Sequence, residues 1–165
     1  MTDEILDLVD SNDQVVGQVS RTRAWAERLP VRVVNAFVVN SHGQLWIPRR
    51  SAHKTMFPNC LDMSVGGHVQ SGESYFEAFK RETLEEINED IDLLKWRELA
   101  YLSPFETTLS AFMKVFEIRL ETVKDMNSID FSEYFWLSPL ELKKRIKNGD
   151  PAKGDLLELV ERIYF

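Results

Sequence analysis

The rhythm of apolar and polar positions changes several times along the chain, and each change marks an element. ILDLVD (5–10) and QVVGQV (14–19) read as two short strands around the turn Ser11-Asn12-Asp13. Residues 20–28 fit a short helix with Ser20 as its cap and Pro30 beyond its end. VRVVNAFVVN (31–40) is a β-branched run, the pattern of a strand buried on both faces. Ser41-His42-Gly43 supplies a turn, and QLWIPRR (44–50) follows as the hairpin partner. LDMSVGGHV (61–69) reads as a strand ending in glycines, and residues 74–88 as a helix. LAYLSPF and LSAFMKVFEIRL (109–120) read as strands, and FSEYFWLS (131–138) as a strand or the lead-in to a helix. Pro139 fits the first turn of a helix to about Lys147, stopped by Asn148-Gly149, and a last helix spans about 154–164. The expected architecture is an α+β sandwich with a mixed β-sheet.

Composition narrows this. A chain of 165 residues favours one domain, taken as 1–165. No run approaches the roughly 18 apolar residues of a membrane helix, and the acidic start MTDEILDLVD is no secretion signal. The one cysteine, Cys60, allows no internal disulfide, and a reducing cytoplasm is the expected location. A net charge of −7 argues against nucleic-acid or membrane partners. Any phosphate chemistry here needs local cations.

The informative segment is GHVQSGESYFEAFKRETLEE, Gly67 to Glu86. Gly66-Gly67 permits a tight backbone turn after the strand. Ser74, with Glu77 three residues on, forms a capping-box pattern. Glu82, Glu85, Glu86 and Glu89 lie at i, i+3, i+4 and i+7, on one helical stripe. Phe76, Phe79, Thr83 and Ile87 lie on the adjoining face, suited to pack on the sheet. Like charges at i, i+4 cost about 0.2–0.5 kcal/mol per pair, and a divalent cation removes that cost. Two readings follow: a solvated helix face, or a metal site that polarises phosphoryl oxygens and activates water.

The spacing resembles the Nudix box, written G, five residues, E, seven residues, R-E-U-x-E-E-x-G-U, where U is apolar. Gly67, Glu73, Arg81, Glu82, Glu85 and Glu86 match six fixed positions at the right offsets. Thr83, Asn88 and Glu89 depart from the pattern, although Asn suits the left-handed conformation that the glycine would take. The resemblance implies the Nudix α/β/α sandwich, with Mg²⁺ (Mn²⁺ substituting) on Glu82, Glu85 and Glu86. It makes Glu73 and Arg81 a structural ion pair, with Gly67 structural as well. It also implies hydrolysis of a phosphoric anhydride in a nucleoside-diphosphate-like substrate. Over the wider chain, LDLVDSNDQVVGQVSR, GQLWIPRRS and FPNCLDMSVGGHVQSGES resemble short bacterial Nudix proteins related to isopentenyl-diphosphate isomerase. RVVNAF, SPFETTLSAF and AKGDLLELV resemble bacterial members acting on nucleoside di- and triphosphates, cytidine nucleotides among them.

Isomerase chemistry is the competing reading, because it moves a proton instead of breaking an anhydride. The positions where the resemblance would put its cysteine, glutamate and histidine hold Gly66, Ala111 and Val31, which leaves no proton donor or acceptor. A Nudix-fold binding module without catalysis is the third reading, opposed by the presence of all three box glutamates. Among the other residues, Arg49, Arg50 and Lys54 form a basic cluster: either a phosphate clamp or a solvated strand end. Phe57 and Phe105 lie in loops, to stack on a base or to pack under the loop. Trp46 and Trp136 read as core, His42 and His53 as loop residues, and His68 as a metal or phosphate neighbour or a plain loop histidine. The catalytic proton acceptor falls to Glu85 or Glu86 of the box or, outside it, to Glu106 in SPFETT. The expected partner is a small nucleotide, and homodimer formation stays open.

Overall fold

The chain begins with an antiparallel hairpin, β1 (Ile5–Val9) and β2 (Val15–Ser20). Asp10 makes its turn, because the carboxylate accepts the backbone N–H groups of Asn12 and Gln14 at 2.8 and 3.0 Å. A short helix, α1 (Arg21–Glu27), follows directly with Ser20 as its cap. Then come β3 (Arg32–Val39), β4 (Leu45–Arg50), β5 (Val65–His68) and the long helix α2 (Tyr75–Ile87). A 3-10 turn (Ile91–Leu93), β6 (Lys95–Leu102), β7 (Phe112–Arg119), β8 (Phe131–Leu137), α3 (Pro139–Lys147) and α4 (Leu156–Tyr164) complete the chain. This computed structural model describes residues 3–165.

The main sheet has six strands in the order β6-β7-β3-β4-β8, with β5 also paired to β3. β3 runs parallel to β7 and antiparallel to β5 and β4, so the sheet is mixed. Alternation along β3 sorts its side chains between two cores. Val34, Ala36 and Val38 face α2, together with Phe79, Ile87 and Phe116. Phe37 and Val39 face α3 and α4, with Leu142, Leu156 and Leu159. The sheet is thus sandwiched between helices, as the α+β expectation holds. No helix among the described residues is long and apolar enough to cross a membrane.

Two departures from the sequence reading matter for the site. The expected β3–β4 hairpin opens after one register pair, Val39 with Leu45. Ser64 fills the gap: its buried hydroxyl accepts Val38 N–H at 2.8 Å and donates to the Trp46 carbonyl at 2.5 Å. β4 turns to β8 instead, and β5 takes the edge of β3 from Val33 to Ala36. Second, the strand expected over 61–69 is shortened to Val65–His68, while Leu61 forms isolated bridges to Arg49 and Ala152. At the far edge, β6 begins at Lys95, four residues before LAYLSPF. Its exposed, charged first half masks the strand pattern, as edge strands do.

The hairpin docks onto the loop that follows β5. Ser71 N–H donates to Ile5 O at 2.8 Å, and Asp7 accepts the Ser71 hydroxyl at 2.7 Å. Asp13 at the hairpin turn accepts Arg32 Nε at 2.6 Å and the hydroxyls of Tyr75 and Tyr101 at 2.8 and 2.7 Å. Leu6, Val19 and Ala24 pack on Val31 and Ala111 beneath it.

Candidate active site

The site begins where α2 lies against β5. A methyl group on Gly67 would sit 2.0 Å from Glu82 Oε1, so a glycine is needed for the carboxylate to lie on the strand backbone. Gly66 is similarly tight, with a Cβ 2.6 Å from Asn35 Oδ1. Its N–H donates to Glu86 Oε2 at 2.8 Å. Two glycines therefore bring two carboxylates of one helix onto one strand end.

Arg81 ties the loop to the helix. Its Nε and Nη2 donate to the two Glu73 oxygens at 2.7 and 2.9 Å, a bidentate pair. Nη2 also donates to His68 O at 3.0 Å and Nη1 to Glu82 Oε1 at 2.6 Å, while Glu85 Oε2 lies 3.5 Å away. Glu73 also accepts Gln70 N–H at 2.9 Å. Burial alone would raise the Glu73 carboxyl, but Arg81 and that N–H outweigh it and hold it below the ordinary carboxylate range.

The helix carboxylates behave oppositely. Burial pushes Glu82 up to about 7; Arg81 offsets part of this, and Glu85 and Glu4 add to it. Glu86 is raised well above its ordinary value, first by burial, then by Glu82 and Asp62, with Gly66 N–H and Lys153 offsetting. Glu85 stands at the solvent edge, its side chain 56% exposed. Two neighbouring carboxylates whose proton affinity is raised by burial and by nearby acidic groups suit a divalent cation, a hard ion that prefers oxygen donors. The donor set therefore fits such an ion. Among the described residues, no three acidic, imidazole or thiol groups already converge on one point.

A second wall comes from the amino-terminal segment. Trp25 of α1 meets His68 edge-to-face at 6.1 Å between ring centroids, and Phe57 at 6.2 Å. Trp25 Nε1 is buried without a hydrogen-bond partner. Burial holds His68 neutral, lowering it to about 3, and the charges of Arg21 and Lys153 push the same way.

The basic cluster is built differently from a joint phosphate clamp. Arg49 and Arg50 are consecutive on β4 and diverge. Arg49 pairs with Asp150 at 2.8 Å and with Glu133 at 2.5 Å. Arg50 pairs with Asp62 at 2.7 Å, and its Nε and Nη2 both donate to Met56 O. Lys54 pairs with Asp130, and Arg49 donates to Asn59 O at 3.0 Å. These cations pin the 51–60 loop, in which Phe57 and Asn59 take positive φ values of 52° and 59°. Glu106 lies exposed in the turn after β6, and its side chain makes no hydrogen bond or ion pair with the box among the described residues. Phe105 is 59% exposed and packs at a tilt against Phe112. Trp46 is fully buried and Trp136 partly so.

The sequence reading passed over Trp25, Arg21, Asp62 and Lys153. Lys153 is brought in by backbone pairing of its segment with Leu61, whose carbonyl accepts Lys153 N–H at 2.9 Å. Its presence in AKGDLLELV was the one available signal.

A family model described as the NUDIX domain matches residues 29–160. The chain belongs to the Nudix family. A Nudix hydrolase of Deinococcus radiodurans is 57% identical over 164 residues, covering 99% of this chain and 96% of that protein. An uncharacterized Nudix hydrolase of Nostoc sp. is 53% identical over 162 residues, covering 98% and 96%. The crystal structure of DR0079 from D. radiodurans superposes with a TM-score of 0.93 at 56% identity, covering 98% of this chain and 100% of that one. This Nudix protein is accordingly a hydrolase of the pyrophosphohydrolase type, and the family generally uses divalent metal ions.

Proposed function

We propose that this Nudix hydrolase cleaves the phosphoric anhydride of nucleoside di- or triphosphates, cytidine nucleotides among them, with Mg²⁺ as its ion and Mn²⁺ as a substitute. The observation that carries the reading is the pair Glu82 and Glu86, both held against the Gly66-Gly67 backbone and both raised in proton affinity. Glu82, Glu85 and Glu86 would hold the ion. When bound, it supplies positive charge to the phosphoryl oxygens and activates water for attack on phosphorus.

The remaining work falls to the chain itself. Glu85 or Glu86 accepts the proton of the attacking water, in preference to Glu106, which is exposed and makes no side-chain bond to the box among the described residues. The P–O bond of the anhydride breaks as the new one forms, and the leaving phosphate carries the electron pair away. Arg81 and Glu73 keep the loop on the helix. Lys153, 3.5 Å from Asp62, and Arg21, 3.4 Å from Glu4, are the cations whose charge acts on His68, and Lys153 acts on Glu86 as well. Arg49 and Lys54 act by shaping the 51–60 loop, and Arg50 joins them while bordering the site through Asp62.

The isomerase reading loses support from the same geometry. Val31 and Ala111 are buried in the apolar cluster under the hairpin, and Gly66 has no side chain. The test incubates the protein with nucleoside di- and triphosphates, nucleotide sugars, dinucleoside polyphosphates and isopentenyl diphosphate, with Mg²⁺ and with excess chelator. The expected result is Mg²⁺-dependent nucleotide cleavage. Full turnover in chelator, or appearance of dimethylallyl diphosphate with every nucleotide intact, would overturn the reading.

A further inference from the structure

The NUDIX match begins at residue 29, yet Trp25 and Arg21 stand beside the site from outside it. β5 explains how they reach it. Successive residues of a strand face opposite sides. Val65 and Gly67 face α2, and Gly67 meets Glu82. His68 faces the other way, where it meets Trp25, which in turn meets Phe57. Gly66 N–H bonds Glu86 and His68 O accepts Arg81, so the two sides adjoin at the strand end.

The aromatic group has the features of a recognition surface more than of a core. Trp25, Phe57 and His68 are all partly exposed. Phe57 is held at a positive φ of 52°. A bulky residue seldom adopts that conformation without the surroundings enforcing it, and such strain collects at ligand sites. Arg50 anchors the residue before it, through two bonds to Met56 O. The indole N–H of Trp25 is buried with no acceptor in the protein, a costly state that an acceptor on a bound group relieves.

We propose that Trp25, Phe57 and His68 form the nucleobase subsite, so that the amino-terminal hairpin and α1 determine which organic group this Nudix hydrolase accepts. The base stacks on the exposed ring faces, and a ring nitrogen or carbonyl accepts the Trp25 N–H. The charges of Arg21 and Lys153 act on His68, and that of Lys153 also on Glu86, which suits a substrate that carries a diphosphate. A flat ring with acceptors satisfies both the ring faces and the orphan donor, whereas a prenyl chain satisfies neither. The proposal rests on the nucleotide reading above.

The test is calorimetric binding in Mg²⁺ of a non-hydrolysable α,β-methylene nucleoside diphosphate, with methylenediphosphonate as the probe lacking a base. Base stacking on an aromatic side chain is strong enough that Trp25→Ala is expected to weaken nucleotide binding by about tenfold or more. Phe57→Ala should act in the same direction, and methylenediphosphonate should bind both variants within about twofold of the wild type. Trp25→Phe keeps the ring and removes the donor, so it should lose part of the affinity, and it guards against a folding failure of Trp25→Ala. In steady-state hydrolysis, these variants should raise KM far more than they lower kcat. Wild-type nucleotide affinity in folded Trp25→Phe and Phe57→Ala proteins would overturn the subsite while leaving hydrolysis standing. A wild type that cleaves no nucleotide, yet binds the analogue through Trp25, would overturn the hydrolytic reading and leave the subsite intact.

Discussion

Glu73 and Glu82 sit within one short stretch, contact the same arginine, and carry opposite electrostatics. Glu73 has both oxygens engaged by Arg81 and a backbone N–H, which hold it ionised below the ordinary range. Glu82 shares Arg81 but is more deeply buried, faces Glu85 and Glu86, and is raised to about 7. One carboxylate is satisfied by the protein alone and the other is not. The loop end of the motif is therefore scaffold, and the helix end is chemistry waiting for charge. Residue type does not separate the two roles; the number of donors around each carboxylate does.

The largest expected effect is at the unsatisfied end. Glu86→Gln should lower kcat by ~10²–10³-fold, the usual cost of deleting one preorganised electrostatic group. Its melting temperature without metal should stay level or rise, because a buried, repelled carboxylate is gone. Parallel losses of activity and melting temperature would place Glu86 with the scaffold instead.

Gly67→Ala should come next. Its methyl group would overlap Glu82, whose position Arg81 fixes, and a displacement near 1 Å can cost up to ~100-fold in rate. Steady-state kinetics on protein of unchanged circular dichroism checks this, and wild-type kcat would show that Glu82 need not touch the strand.

Arg81→Ala should lower stability and, because Arg81 also holds Glu82, lower kcat as well. The Glu73–Arg81 pair is partly buried, between the ~3–5 kcal/mol of a broken buried pair and the less than ~1 kcal/mol of an exposed one, so about 2–3 kcal/mol is expected from urea denaturation. Arg81→Lys should recover little, since a lysine cannot make the bidentate contact. Unchanged urea midpoints in both variants would show the pair to be dispensable.

A smaller effect concerns pH. A carboxyl with a raised folded value stabilises the fold below its unfolded value and loses that contribution as pH rises through the folded one. For Glu82 this window runs from the ordinary range up to about 7, and Glu86 adds to it in the same direction. His68, lowered to about 3, contributes in the opposite sense, because its stabilisation is lost as pH falls below 6.5. The difference between melting temperatures with Mg²⁺ and with chelator isolates the carboxylates. It should be larger at pH 8 than at pH 5.5, and an equal difference at both would separate the ion from these two groups.

The smallest effect belongs to Glu106→Gln, which should change kcat by less than about twofold, as expected for an exposed residue whose side chain makes no bond to the box among the described residues. A large loss would restore Glu106 as the proton acceptor.

Helix α2 is the part most legible in the sequence. The Ser74–Glu77 capping box forms as its spacing implies, and Asn88 ends the helix at a φ of 52°. Thr83 holds an apolar position because its hydroxyl bonds back to Phe79 O at 2.7 Å, leaving a methyl group for the core. What fails is pairing between distant segments. Nothing in QLWIPRR shows that Ser64 will part β4 from β3, or that Arg49 and Arg50 will find Asp150 and Asp62. A row of cations reads as a clamp until the partners that neutralise it are placed. Trp25 is missed for the same reason: its neighbours His68 and Phe57 lie more than thirty residues away, joined by docking of the hairpin.

The central claim is that Glu82 and Glu86, unlike Glu73, are completed by a divalent ion. Titration of Mn²⁺ into the protein, with free Mn²⁺ followed by its electron paramagnetic resonance signal, measures this without any substrate. Saturable binding is expected in the wild type and in Arg49→Gln, and its loss is expected in the folded Glu82→Gln/Glu86→Gln double variant. Equal Mn²⁺ uptake by the wild type and the double variant would contradict the account.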